Sequence, residues 1–144
     1  MEKQLLIGGQ ALRQLGSTRF TADIDYLVNV ANGSLFFHDT QNNVDYINAG
    51  AKNQKGANAN AAKFFAEIWK MEAKNNTGIA SVQAIAELKS YSLVQNCLNG
   101  DFKKADEAEF DLKFLKSIGA TLPTIARKYV SEGQFSEIAK IFSK

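Results

Sequence analysis

Cysteine is almost absent from this chain, which has one, Cys97, among 144 residues. A single cysteine cannot form an internal disulfide, so the sequence excludes the class of small secreted domains that disulfides hold together. A chain of this length buries roughly 68–70% of the surface that its unfolded form exposes, and it needs no such cross-links. We therefore predict a reducing, cytoplasmic setting.

The sequence also has little net charge, no long apolar run and a single proline. Its 17 basic and 15 acidic residues give a formal net charge of +2, too small to indicate binding to nucleic acid or to a membrane surface. No apolar run approaches the ~20 residues of a membrane helix, and the N-terminal residues lack the pattern of a signal peptide. We expect one domain and no membrane partner.

The strand signals lie in the first half of the chain, and helical periodicity dominates the second. Short apolar or alternating runs predict strands over residues 4–7, 23–30, 35–37 and 44–47. Apolar spacing predicts helices over residues 9–15, about 61–73, 82–98 and about 104–118, followed by two more in the C-terminal part. This order of elements predicts an α+β fold.

Three local features predict where helices and loops begin and end. Residues 48–60 are rich in Ala, Asn, Gly and Lys with little periodicity, which is typical of a loop. Pro123 is expected in the first turn of the next helix. Gly133 is expected to separate that helix from the last one.

The chemistry of the chain is concentrated between residues 7 and 28. A short apolar run ends in Gly8 and Gly9, a short helix follows, and Gly16 ends that helix. Glycines at the start of a helix allow the backbone to approach a phosphate closely, and the helix N-terminus favours negative charge. We expect Gly8 and Gly9 to bind a phosphate chain.

Asp23 and Asp25 follow this segment at the start of a predicted strand. Residues two apart on a strand point to the same face, about 7 Å apart. Their carboxylates repel each other unless a cation lies between them, and Mg²⁺ binds carboxylate and phosphate oxygens. Alone, the glycines indicate a tight turn and the aspartates a solvated strand end. Their combination, with Arg19 and Thr21 between them, favours a functional site.

The pattern Gly8-Gly9-x-Ala11-x-x-x-x-Gly16-x-x-Arg19-x-Thr21-x-Asp23-Ile24-Asp25 resembles the signature of the nucleotidyltransferase superfamily with the polymerase-beta-like core. It is most similar to the small bacterial members that occur in toxin–antitoxin and abortive-infection systems. The resemblance is strong over residues 5–30. It implies a nucleotidyltransferase-like mixed sheet with flanking helices in a single domain, 1–144. Residues 101–144 are expected to form a helical extension that packs on it.

The resemblance implies an enzyme that uses Mg²⁺, or Mn²⁺ in its place. Such an enzyme transfers a nucleoside monophosphate from a nucleoside triphosphate to a protein or RNA acceptor and releases pyrophosphate. A toxin or antitoxin protein would be its partner. In the alternative, the chain is a catalytically inactive member that keeps the fold as a binding module and acts by complex formation.

The family's metal site implies catalytic, metal-binding roles for Asp23, Asp25 and a third carboxylate from a neighbouring strand. Asp45 is the best candidate for the third because it lies inside a strand pattern, and Asp39 is the fallback. Asp45 would help to bind the metal at the attacking hydroxyl and accept its proton. The nucleotide-binding positions implied by the resemblance or by these patterns are Gly8, Gly9, Gln10, Arg19, Thr21 and Lys89.

Lys89 lies on the apolar stripe of its predicted helix, and Asp111 lies on that of the next one. A buried charge needs a partner, so the two side chains are expected to form a structural ion pair. Two alternatives remain open: Lys89 reaches the triphosphate, as a basic residue on a following helix does in related enzymes, or its ammonium group extends to water. The lone histidine, His38, is expected to be an ordinary surface or core residue.

Overall fold

The computed structural model, which describes residues 3–143, has an α+β fold, as the sequence predicts. The chain divides into two compact units, of which the first ends at Ser81 and the second begins at Val82. The first unit contains the sheet, and the second is helical. A single domain 1–144 with an extension that begins at residue 101 stays a prediction. No helix of the described chain combines the length and apolar character needed to cross a membrane.

From residue 3 onward, the first unit contains four strands and two helices. In chain order they are β1 (Leu5–Ile7), α1 (Gly8–Gln14), β2 (Ile24–Val28), β3 (Phe36–Asp39), β4 (Val44–Asn48) and α2 (Ala57–Met71). The strands form one mixed sheet in the order β1-β2-β4-β3. Only β2 and β4 run parallel, whereas β1 pairs antiparallel with β2 and β3 pairs antiparallel with β4. Ile79 forms an isolated parallel bridge to Leu6.

One face of this sheet carries fully buried core residues together with the candidate site. Leu5 and Leu27 are cross-strand partners on it and are fully buried. The Phe36 ring packs edge-on against Phe65 of α2, with ring centroids 6.0 Å apart. Because side chains alternate along a strand, Asp25 lies on the same face as Leu27 but nearer the start of β2. The Asp25 carboxylate therefore lies at the edge of the buried part of this face.

The opposite face carries a row of stacked aromatic rings. Tyr46 of β4 stacks on Tyr26 of β2 at a centroid distance of 6.0 Å and on Phe37 of β3 at 4.6 Å. Phe37 and Tyr46 are cross-strand partners, so their stacking fixes the register of the β3–β4 hairpin. The same register fixes which residues face each other across the candidate site.

The described part of the second unit, residues 82–143, contains three α-helices and a short 3₁₀ helix. They are α3 (Val82–Leu98), α4 (Phe102–Ser117), the 3₁₀ helix (Ala126–Tyr129) and α5 (Glu132–Phe142). Asp101 caps α4 by accepting a hydrogen bond from the Lys104 N–H, and Ser131 caps α5 in a reciprocal capping box with Gln134.

Three boundary predictions are wrong. α2 begins at Ala57, inside the segment expected to be a loop, directly after Gly56 in a left-handed conformation. The region after Pro123 forms a short 3₁₀ helix rather than an α-helix, and Pro123 lies before it. Gly133 lies inside the first turn of α5, because the capping box at Ser131 starts that helix earlier than the glycine suggests.

Two buried carboxylates organise the second unit. Glu87 is 2% exposed and accepts backbone N–H bonds from Thr124, Ile125 and Ala126, which orders the segment that enters the 3₁₀ helix. Burial raises the pKa of Glu87, although these three hydrogen bonds oppose the rise. Asp111 of α4 is fully buried, and Lys89 of α3 contacts it at 3.1 Å.

Candidate functional site

The centre of the candidate site is a pair of aspartates on neighbouring parallel strands. Asp25 of β2 and Asp45 of β4 are direct register partners. Residues in register on adjacent strands point to the same face, so the two carboxylates share one side of the sheet. Asp25 is half-buried and Asp45 is exposed. The structure thus brings together two of the three carboxylates that the sequence singles out.

Gly8 packs directly against this pair. Its φ of +69° lies in the left-handed region, and a Cβ built on it would lie 2.6 Å from Asp25 Oδ2. The backbone conformation therefore favours glycine here, and a Cβ would in addition force the Asp25 carboxylate to shift. The close approach places the start of α1 beside the Asp25 carboxylate.

Thr21 holds the loop between α1 and β2 in place. Its side chain fills the space beside Gly9 that a Cβ would need. The Gln10 side-chain amide donates a hydrogen bond to the Thr21 carbonyl at 2.9 Å, and the Asp23 N–H donates to the Thr21 hydroxyl at 3.3 Å. Four of the predicted nucleotide-binding and metal-binding positions thus contact one another through Thr21.

Arg19 and Ser17 shape the turn that precedes Thr21. The Arg19 N–H donates a hydrogen bond to the hydroxyl of Ser17, which is buried. The Arg19 side chain is half-buried in the same loop as Thr21. A contact between Arg19 and phosphate stays a prediction.

His38, for which the sequence suggests no functional role, is part of this site. It is the register partner of Asp45 on the antiparallel strand β3, and its Nδ1 lies 2.6 Å from Asp45 Oδ1. A carboxylate is an acceptor, so the ring N–H donates this hydrogen bond. The signal in the sequence was the hairpin itself, in which His38 and Asp45 flank the Gln41-Asn42-Asn43 turn. The strand expected at 35–37 stopped one residue too early to reveal it.

An open pocket of about 450 Å³ lies over these residues. The residues that line it include the two carboxylates, the histidine and the apolar Phe36 and Ile47 of the same face: Asp25, Phe36, Phe37, His38, Asp45, Tyr46 and Ile47. Phe36 is 53% exposed and lies two residues before His38 on the same face. The pocket therefore has a charged end and an apolar end.

Asp39, the fallback for the third carboxylate, has another role. Its Oδ1 accepts the N–H groups of Gln41 and Asn42, and its Oδ2 accepts a bond from the Asn42 side chain. The Asn42 hydrogen bonds hold the pKa of Asp39 below its usual range. Asp39 therefore closes the β3–β4 turn.

The donor set at this face fits a magnesium ion. Mg²⁺ is commonly held by one or two carboxylates together with substrate phosphates, and Asp25 and Asp45 supply two on one face. Asp23 is exposed and lies just before β2. Among residues 3–143, no group of three or more acidic, histidine or cysteine side chains is arranged to hold a metal. A site that also includes Asp23 stays a prediction.

For Lys89, the ion pair with Asp111 that the sequence offers as one of three alternatives is present within the second unit. Its contact with a triphosphate stays a prediction.

Comparison of the chain with protein-family models, curated proteins and solved structures finds no match. The case for function therefore depends on the residues and on their geometry.

Proposed function

We propose that this protein is a nucleotidyltransferase, which moves a nucleoside monophosphate from a nucleoside triphosphate to a protein or RNA acceptor. The observation that carries the proposal is the direct pairing of Asp25 with Asp45 on parallel strands, beside Gly8 in its left-handed conformation. Two carboxylates that would repel each other are held on one face, next to backbone suited to a phosphate chain.

Each residue of the candidate site would then have a specific role. Gly8 brings the backbone close to the Asp25 carboxylate, and the Thr21 contacts hold Gly9, Gln10 and Asp23 in fixed positions. Asp25 and Asp45 would hold Mg²⁺, or Mn²⁺, against the triphosphate; the ion neutralises phosphate charge when it is bound. Asp45 faces the open pocket and would accept the proton of the attacking hydroxyl at Oδ2, because His38 Nδ1 contacts Oδ1. Catalysis would come from positioning and charge neutralisation.

The two ends of the pocket support a substrate with a charged and an apolar part. The carboxylates form the end for the metal and the phosphates, and Phe36 forms an exposed aromatic wall at the other end. A nucleotide has this division between phosphate and base. We further propose that the protein acts in the cytoplasm with a partner toxin or antitoxin as acceptor or regulator, as its resemblance to small bacterial nucleotidyltransferases suggests.

A transfer assay with single variants tests this function. The purified protein is incubated with Mg²⁺ and each α-labelled nucleoside triphosphate, with total RNA or the product of a neighbouring gene as acceptor. We expect Asp25→Asn and Asp45→Asn to reduce transfer by roughly 100-fold, the order of loss for a group that stabilises developing charge. Asp106→Asn, at an exposed acid of α4, is the control and should retain full activity.

The Asp23→Asn variant asks a separate question in the same assay. A loss as large as that of Asp25→Asn would support a three-carboxylate site. If no nucleotide is transferred to any acceptor while the protein still binds the neighbouring gene product, the chain is a binding module and the enzymatic proposal is wrong.

A further inference from the structure

We propose that His38 is a positioning residue for Asp45: it occupies Oδ1 and so presents Oδ2 as the oxygen that binds the metal. This inference rests on the proposed function, because it specifies how one carboxylate of that site is used. The observation behind it is the 2.6 Å hydrogen bond between His38 Nδ1 and Asp45 Oδ1.

The position of His38 is fixed from three directions. Asp39, its neighbour, closes the β3–β4 turn through both of its carboxylate oxygens. Phe37, on its other side, stacks on Tyr46 on the opposite face of the sheet. Phe36 packs edge-on against Phe65 of α2 on the same face. Since the strand has little freedom to slip, the imidazole is held opposite Asp45 before any ligand arrives.

The hydrogen bond has little to contribute to folding. The His38 side chain is 43% exposed and that of Asp45 is 53% exposed, and ion pairs between exposed groups add little to stability. What it does change is the rotation of a carboxylate that would otherwise turn freely. Partners that orient a ligating carboxylate raise metal affinity, and their loss typically costs about 10- to 100-fold.

The geometry also explains why the donor is on β3. Asp45 lies on β4 and has a register partner on each neighbouring strand. These partners are Asp25 on β2 and His38 on β3. One neighbour is another acid that shares the cation, and the other is a donor that directs the carboxylate. The row Asp25, Asp45 and His38 thus crosses three strands on one face.

The test measures Mn²⁺ binding by electron paramagnetic resonance, without nucleotide and without turnover. His38→Phe keeps a ring of similar size on the strand but removes the donor. His38→Asn keeps an N–H at the δ position. Thr40→Ala, at an exposed residue of the same turn, is the control. We expect the Mn²⁺ dissociation constant to rise about tenfold in His38→Phe, to return to within about threefold of wild type in His38→Asn, and to be unchanged in Thr40→Ala.

The melting temperature of each variant shows whether folding is intact, and we expect no change for His38→Phe. Asp45→Asn separates the two proposals. If Asp45→Asn weakens Mn²⁺ binding but His38→Phe does not, His38 has no positioning role and the proposed function stands. If neither variant changes Mn²⁺ binding, the metal site itself is wrong. If His38→Asn binds as weakly as His38→Phe, the δ N–H is not what matters, and the inference fails.

Discussion

Asp25 and Asp45 are directly paired in register on the two parallel strands of an otherwise antiparallel sheet. Nineteen residues lie between them in the chain, among them the whole of β3. The chain therefore reaches β4 by passing beyond it to the edge of the sheet and returning through a hairpin. This crossover brings the second carboxylate to the face of the first, and it also brings His38 to the other side of Asp45.

Gly8→Ala should lower the free energy of unfolding more than an alanine substitution at a glycine that has a positive φ but open space around it. Its added Cβ would collide with the Asp25 carboxylate, in addition to the strain of a positive φ. We expect a loss of about 2–4 kcal/mol in the free energy of unfolding, measured by chemical denaturation. Gly100→Ala is the matched control: its φ of +74° is similar, and nothing lies within 4 Å of its Cβ. Equal losses of unfolding free energy in both variants would show that the contact with Asp25 does not contribute to the effect.

Lys89→Met should destabilise the second unit by about 3 kcal/mol, because the Asp111 carboxylate is fully buried and loses its cationic partner. The double variant Lys89→Met/Asp111→Leu should recover most of this loss. Lys113→Met is the control, since its ion pair with Glu109 is exposed. Measurement of nucleotide affinity in the Lys89 variant tests the triphosphate alternative. A loss of affinity with stability unchanged would contradict a structural role for the pair.

Glu87→Gln should destabilise the second unit by about 1–3 kcal/mol. Both carboxylate oxygens of Glu87 accept backbone N–H bonds, from Thr124 and Ile125 at one oxygen and from Ala126 at the other. A glutamine must place its own N–H₂ against one of these donors. Thermal unfolding followed by circular dichroism measures the effect. A melting temperature equal to that of wild type would mean that these bonds do not hold the 3₁₀ helix.

The contribution of Glu87 to the stability of the wild-type protein should fall as the pH rises from 4.5 to the raised pKa of this residue. Burial raises the pKa of Glu87 from its ordinary value of 4.5, so the native state binds more protons than the unfolded state between these two pKa values. The contribution of Glu87 to the free energy of unfolding therefore decreases with pH across that window and levels off above it. Asp39 and Glu132 have lowered pKa values, so their contributions to stability increase as the pH rises. Both contributions change at pH values below the ordinary pKa values of these groups.

Unfolding free energies of wild type and Glu87→Gln across this pH range check the sign. The difference between them should change with pH, because the glutamine does not titrate. A difference that stays constant with pH would show that Glu87 is not responsible.

Much of the fold could be predicted because the signals were local. The alternation in β2 assigned Asp25 and Leu27 to one face, and the Gly16 signal ended α1 where its φ of +107° now shows a left-handed residue. The start of α2 was missed, since the Ala- and Asn-rich residues that begin it lack apolar periodicity.

His38 was not recognised from the sequence for a different reason. Its partner depends on the register of a hairpin, which depends in turn on how Asp39 closes the turn and on the stacking of Phe37 against Tyr46. A strand pattern that ends at residue 37 does not give this register. The pairing of Asp45 with Asp25 has the same origin, although the strand pattern around Asp45 was enough to suggest it as a candidate.

The most direct test of the central claim follows the label of a nucleoside triphosphate. The wild-type protein is incubated with Mg²⁺ and acceptor, once with triphosphate labelled at the α-phosphorus and once with the γ-labelled form. We expect the acceptor to retain the α label and not the γ label, and Asp25→Asn to reduce the transfer by roughly 100-fold. Retention of the γ label, or undiminished transfer by Asp25→Asn, would contradict the proposed nucleotidyl transfer.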